Sequence, residues 1–352
     1  MIMLAVALPL TSAACKSSDE PAAGSSPAAT TPPATATPAA TASAPVTPSP
    51  SASTSTPEPT AFPVRIVHEF GTTVIPRQPT RVLTIGFNEQ DFVLAFGVVP
   101  VGVREFLGYD APKRPWAPKS VRGKKIPTVG SSDLDFEKIA ALDPDLILGI
   151  NSYIDKGDYQ KLSAIAPTVA QSADVAPGAT TWQDQTLVTG RALGQEPKAR
   201  RLVARTERLF TAAKKAHPTF AGKSAAFALG LTEKGSYSLG RDDYRTGWLT
   251  ELGFKVPAKG GEVSFEQLNV FDADVLVAEG VESSALSNPL FQKLPPVKDG
   301  RFLDLGAFDQ NFAAALGFNS PLSIPFLLDI AVPRLAAATD GNPKTRPKPY
   351  PA

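Results

Sequence analysis

A chain of 352 residues, 43% hydrophobic and with a formal net charge of +1, has material for one large domain or two modest lobes with real cores. Near-neutral charge without a dominant basic run excludes a nucleic-acid footprint. The single cysteine, Cys15, rules out an intrachain disulfide and a thiolate zinc site, and two histidines, His68 and His217, leave little imidazole chemistry.

Residues 2–14, IMLAVALPLTSAA, form an apolar run too short to span a bilayer and suited to the core of a secretory signal. The small residues ahead of Cys15 resemble the lipobox of bacterial lipoproteins, although Ser12 stands where that family usually has Leu. The resemblance implies that residues 1–15 are a signal peptide ending in a lipidated Cys15. It places the protein on the extracellular, cell-envelope face of the cell membrane, held by a lipid anchor. Residues 16–63 are almost entirely Ala, Ser, Thr and Pro, with ten prolines between Pro21 and Pro59. Such a segment cannot bury enough apolar surface to offset its ordering entropy, so a disordered linker is expected. Stiffened by proline, it would reach on the order of 150 Å at about 3.1 Å per residue.

Within residues 64–196, RVLTIGFNE (81–89) reads as an apolar strand running into a glycine turn. A helix, DFVLAFG (91–97), and a second strand, VVPVGV (98–103), follow. Residues 219–340 repeat the plan with SAAFALGLTE (224–233), WLTELG (248–253) and FKVPA. The shared glycine-to-glutamate spacing, Gly86 to Glu89 and Gly230 to Glu233, predicts the same strand-to-helix corner in both halves. The plainest repeat is DFEKIAALDPDLIL (135–148) against SFEQLNVFDADVLV (264–277), which aligns Glu137 with Glu266 and Asp145 with Asp274. In each copy Asp135 or Ser264 suits the N-cap, with Ser264 and Gln267 as a capping box. Phe136, Ile139 and Ala140, or Phe265 and Leu268, mark the buried face. Strands alternating with helices predict parallel α/β sheets, so the expected fold is α/β with two lobes related by duplication. Between the copies, residues 197–218 have apolar residues at helical spacing, Pro197 in the first turn and Pro218 at the stop. They predict a single long connecting helix. Residues 341–352 read as a flexible tail.

Taken together, TRVLTIG, AFGVVPVGV, TVGSSDLDFEKIAALDPDLIL, the connecting helix and the Ser-Pro of GFNSPLS resemble the iron-siderophore substrate-binding proteins of ABC importers. These are class III, or cluster A-II, binding proteins, related to vitamin B12 and haem binders. The resemblance covers about residues 64–340. It implies two Rossmann-like lobes joined by a rigid helix, with the ligand in the cleft and little hinge motion. It also implies that the protein is a monomer without enzymatic activity that delivers a ferric siderophore to ABC transporter permease subunits. Glu137 and Glu266 match the glutamates, one per lobe, that dock onto permease arginines in that family. A haem- or cobalamin-binding protein of the same fold is the nearest alternative, and a cell-envelope structural or interaction protein the alternative of another class.

Open α/β sheets bind ligands at the carboxyl ends of their strands. The candidates there are Arg104 and Trp116 in one stretch, Tyr153 after a second strand, and Tyr237 and Arg241 in the second half. Arginines among aromatics suit a bulky anionic ligand with planar or apolar faces. Neither histidine lies at a strand end, so no metal ligands or cofactor are expected and iron should arrive already chelated. Hydroxamate, catecholate, carboxylate and haem ligands can all use Arg and Tyr, and the sequence leaves that choice open. Enzyme motifs fail in detail: SYSLG (236–240) lacks the first glycine of a nucleophile elbow, and GLTEKGS (230–236) lacks the lysine of a phosphate loop.

Overall fold

Alternating burial defines the first element of the structure, a computed structural model that describes residues 62–342 and 344–348. In β1 (Val64–His68) the side chains of Val64, Ile66 and His68 point inward, and the chain turns back into β2 (Gly71–Ile75) with Val64 opposite Ile75. Cys15, nearly all of the linker and the last residues of the tail lie outside the described residues.

The first lobe is a four-stranded parallel sheet in the order β4-β3-β5-β6. Its elements run β3 (Val82–Thr84), α1 (Glu89–Ala95), β4 (Gly102–Val103), α2 (Phe136–Ala141), β5 (Leu146–Gly149), α3 (Lys156–Ile165), β6 (Thr168–Ala170) and α4 (Trp182–Ala192). Every residue of the four strands is buried, as expected of a parallel sheet covered on both faces. The helix α5 (Glu196–Ala216) then carries the chain away over 21 residues, about 31 Å at 1.5 Å per residue. Ala199, near its start, belongs to the core of the first lobe with Val82 and Phe96. Phe210, near its end, belongs to the core of the second with Trp248 and Phe312. Gly190 lets α4 lie against α5, because a Cβ there would sit 2.4 Å from that of Ala199.

The second lobe contains β7 (Ala225–Thr232), β8 (Gly235–Ser238), α6 (Gly247–Glu251), β9 (Gly261–Ser264) and β10 (Val275–Glu279). Short helices α7 (Ser283–Ser287), α8 (Pro289–Gln292) and α9 (Pro295–Lys298) lead to β11 (Phe302–Asp304), α10 (Asn311–Gly317) and α11 (Ser323–Thr339). The sheet order is β11-β10-β7-β8-β9, parallel through β7, β10 and β11 and antiparallel through β8 and β9. The shared corner is therefore not conserved in form. Gly86 to Glu89 leads into α1, whereas the Thr232–Gly235 turn folds β7 back on β8 as a hairpin.

The repeated phrase occupies equivalent places in the two lobes. Asp145, just before β5, accepts hydrogen bonds from the amides of Thr80 (2.9 Å) and Arg81 (2.8 Å), just before β3. Asp274, just before β10, accepts one from the Ser224 amide at 2.7 Å, just before β7. Each aspartate ties together the starts of the central parallel pair in its own lobe. Asp135 caps α2 through the Lys138 amide at 2.9 Å. In the second copy Phe265–Phe271 is a 3₁₀ helix, and Ser264 makes no side-chain cap bond, so the predicted capping box does not form. Ile139, Phe265 and Leu268 are buried as expected, while Ala140 is exposed.

The lobes share their cores. Phe92 of α1 and Trp182 of α4 belong to one buried cluster with Phe227, Trp248, Phe312 and Leu316 of the second lobe. A second cluster joins Leu94, Tyr109 and Val121 to Ala314 and Phe318. Among the described residues no helix is long and apolar enough to cross a membrane.

Candidate ligand-binding cleft

The loops that follow the parallel strands build the site. After β3 the chain passes Gly86 and Phe87 into α1, whose first residue, Glu89, is fully buried. Its carboxylate folds back beneath Gly86, where a Cβ would lie 1.8 Å from Oε2, and accepts a hydrogen bond from the Asn151 amide. Burial pushes the Glu89 carboxyl up to about 8, against the opposing pull of the Asn151 and Gly86 amides and of Arg104. After β4 comes Arg104, 8% exposed, with its guanidinium 4.5 Å from the centre of the Phe87 ring. It donates to three carbonyls, from Nε to Ser131 (2.6 Å), from Nη1 to Ser152 (3.1 Å) and from Nη2 to Ser132 (2.8 Å). After β5 the chain reaches Tyr153, which adopts a left-handed φ of 56° and remains 52% exposed. Backbone strain of this kind gathers at functional sites. The Tyr153 phenol lies against Gly178, where a Cβ would approach its oxygen to 2.0 Å.

The second lobe contributes Tyr237 from β8, the 239–247 loop and Glu279 at the end of β10. Tyr237 is 45% exposed and lines a groove of about 310 Å³ with Tyr153, Gly178, Asp243 and Lys259. Arg241 is exposed and lines an adjoining groove of about 490 Å³ with Trp182, Tyr244 and Glu251. Asp242 and Asp243 border both grooves. Arg245 grips Asp243 in a two-point fork, from Nε at 2.9 Å and from Nη2 at 2.7 Å. Burial disfavours the Arg245 charge, but the bond to Asp243 and the surrounding Tyr244, Asp243 and Glu279 together outweigh it and strengthen its basicity. Beside this fork, burial raises the Glu279 carboxyl to about 7, opposed by Arg245. Rings pave the floor: Phe87 lies 4.5 Å from Phe106 and 5.6 Å from Tyr153, and Phe106 lies 6.5 Å from Phe318.

The structure thus brings Tyr153 and Tyr237 into one groove, places Arg241 in its neighbour and sets Arg104 behind Phe87. Trp116 lies elsewhere. Its indole donates to Asp91 at 2.8 Å and packs on Phe326 at 5.1 Å, within the contact between the lobes. Asp91 is buried there with its carboxyl raised to about 6 by desolvation, and it also accepts from the Tyr109 hydroxyl at 2.7 Å. Glu137 and Glu266 are both exposed, each in the first turn of its helix. The Asp243–Arg245 fork and Glu279 are additions to the sequence reading. A single acid closing the apolar run VLVAE was the available signal for Glu279. His68 bonds Thr73 at 2.9 Å within the β1–β2 hairpin. Among the described residues no cluster of three or more His, Cys, Asp or Glu could hold a metal ion.

Comparison with known proteins gives one consistent picture. The sequence profile described as Periplasmic binding protein matches residues 107–307, more than half of the chain. The chain is 27% identical over 289 residues to the ferric-anguibactin-binding protein FatB of Vibrio anguillarum, covering 73% of this chain and 84% of that one. A periplasmic solute binding protein of Mycobacterium smegmatis superimposes with a TM-score of 0.71 at 33% identity, over 78% of this chain and 98% of the other. PiaA of Streptococcus pneumoniae in complex with ferrichrome superimposes with a TM-score of 0.67 at 29% identity, over 79% and 99%.

Proposed function

The chain belongs to the periplasmic binding protein family, and from that premise we propose that it captures a ferric siderophore outside the cell and delivers it to the permease of an ABC importer. The observation that carries this reading is the cleft itself. The loop after β5 and the antiparallel strand β8 bring exposed tyrosines together beside a floor of aromatic rings, with guanidinium groups from both lobes around them. That surface suits a bulky, compact chelate better than a bare ion. Relatives of similar length carry names or bound ligands of the same class. In this reading the iron arrives already chelated, and the protein binds and releases its cargo without catalysing a reaction.

Tyr153, Tyr237 and Arg241 touch the ligand, and Arg104 holds the floor through Phe87 and the Ser152 carbonyl. Trp116 acts on the contact between the lobes. Lipidated Cys15 anchors the monomeric protein to the outer face of the membrane, with residues 16–63 as its tether. Glu137 and Glu266 dock onto the permease, where electrostatic complementarity sets orientation and encounter rate.

The test is a fluorescence titration of the protein with representative ferric siderophores, haem and cobalamin. Saturable binding of a ferric siderophore is expected; no saturable binding to any of them refutes the function. Tight binding of haem alone, with Tyr153 or Tyr237 ligating iron, assigns the cleft to haem instead. Replacing Glu137 and Glu266 together by Ala should abolish uptake while ligand affinity and thermal stability stay near wild type. Normal uptake by that variant at matched expression would leave these residues as helix-terminus charges.

A further inference from the structure

We propose that the cleft is charge-compensated and therefore selects a ferric chelate whose coordination sphere carries no net charge, a trihydroxamate type, over multiply anionic catecholate or carboxylate complexes. This rests on the siderophore reading above and names the ligand class within it. It also departs from the bulky anion that arginines at strand ends suggest in the sequence.

The two largely sequestered guanidiniums of the cleft are already matched. Arg245 is held by both oxygens of Asp243, at 2.9 and 2.7 Å, and the Glu279 carboxyl lies beside it. Arg104 donates to the Ser131, Ser132 and Ser152 carbonyls and packs on the Phe87 ring, so its donors are already engaged. A multiply anionic ligand would have to take Arg245 from Asp243 and leave that carboxylate without its partner, next to its own negative charge. Removing one member of a sequestered pair is the costly way to alter it. The remaining cations, Arg241 and Lys259, are exposed and stand beside Asp242, where solvent screens them and an ion pair is weak.

What the cleft offers freely is rings and phenols: Phe87, Phe106, Tyr153 and Tyr237. Three hydroxamates, each having lost one proton, cancel the charge of Fe(III) and wrap it in an organic skin. Three catecholates, each having lost two, leave a trianion. The first kind of complex matches an aromatic surface whose sequestered guanidiniums already have partners; the second needs sequestered cations with free donors, and Arg104 and Arg245 have theirs engaged.

Competition titrations of the protein with ferrichrome, ferric enterobactin and ferric staphyloferrin B test this. Ferrichrome is expected to bind at least about tenfold more tightly than either anionic chelate, with an affinity nearly independent of salt. Asp243→Asn unpairs Arg245 and should shift the preference toward ferric enterobactin by about tenfold, with Glu279→Gln shifting it the same way by less. Glu279→Gln keeps the shape of the site and guards against a folding defect in the Asp243 variant. Tighter binding of ferric enterobactin by the wild type, or preferences unchanged in both variants when both are folded, overturns the proposal and leaves the siderophore reading standing. Binding of none of the chelates overturns both.

Discussion

Replacing Glu89 by Gln should abolish a large pH dependence of stability. Glu89 ordinarily titrates at 4.5 and its carboxyl is raised to about 8 in the fold, chiefly by burial. Between those values the unfolded chain has released the proton while the folded chain retains it, so stability falls as pH rises through this window. At about 1.36 kcal/mol per pH unit, the loss accumulates to about 5 kcal/mol and is complete above the folded value. Glu89→Gln keeps the shape beneath Gly86 and an oxygen for the Asn151 amide but has nothing to ionise. Urea unfolding of both proteins at about pH 5 and about pH 9, followed by tryptophan fluorescence, isolates the effect. Asp91 and Glu279 act in the same direction in both proteins and cancel in the comparison. The variant should gain on the wild type by roughly 4 kcal/mol from the acid to the alkaline condition, since part of the window lies below about pH 5. A variant that loses ground at alkaline pH would mean that Glu89 is ionised in the fold and paired with Arg104, and would refute the reasoning.

Asp145→Ala should destabilise by about 1–2 kcal/mol through the bonds lost to Thr80 and Arg81, as read in denaturant midpoints. Burial opposes ionisation of Asp145, but those amides, the Thr80 hydroxyl and the charge of Arg77 together outweigh it and lower its carboxyl below the usual value, so this stability is present above the unfolded pKa of 3.8 and fades as pH falls through the folded one. Gly190→Leu should separate α4 from α5 and lower the melting temperature more than Gly247→Leu, since a Cβ at Gly247 meets nothing within 4 Å. Phe92→Ala should cost about 3–5 kcal/mol by calorimetry, because the side chain is fully buried within the cluster the lobes share.

The parts of the fold legible in the sequence are those specified by local chemistry. The central strands are apolar on both faces and end in glycine or polar turns, so their runs identify parallel sheets without knowledge of the partner strands. The duplicated phrase was legible because Asp145 and Asp274 perform one task, tying neighbouring strand starts, and that task requires the same residue in both lobes. The hairpin after β7 was missed because GLTE mimics GFNE for four letters. Gly235, at φ 137°, opens β8, and its missing Cβ lets the Val263 carbonyl of β9 approach. Trp116 shows the other limit. A tryptophan in a strand-end loop has the composition of a ligand contact, but its destination is set by Asp91 of α1 and by Phe326 of the second lobe, neither of which is near it in the sequence. The Asp243–Arg245 fork likewise depends on a loop conformation, which adjacent letters do not reveal.

How the lobes are joined determines how the cleft can respond. A hinge opening would draw Phe92 and Trp182 out of the cluster they share with Trp248 and Phe312, and each buried aromatic contributes about 1.5–3 kcal/mol by burial alone. Opening enough to free even these two side chains would consume a large share of the roughly 8 kcal/mol that a micromolar ligand can supply. Helix α5 adds to the constraint, because Ala199 and Phe210 anchor its two ends in different cores. A cleft of this kind meets its ligand with charges and rings already placed, so selectivity lies in the resting arrangement. It follows that Glu137 and Glu266, one on each lobe, keep nearly the same separation whether or not the cleft is filled. A permease that docks on both would have to sense cargo through the cleft loops or the ligand itself, since rotation of the lobes offers it no signal.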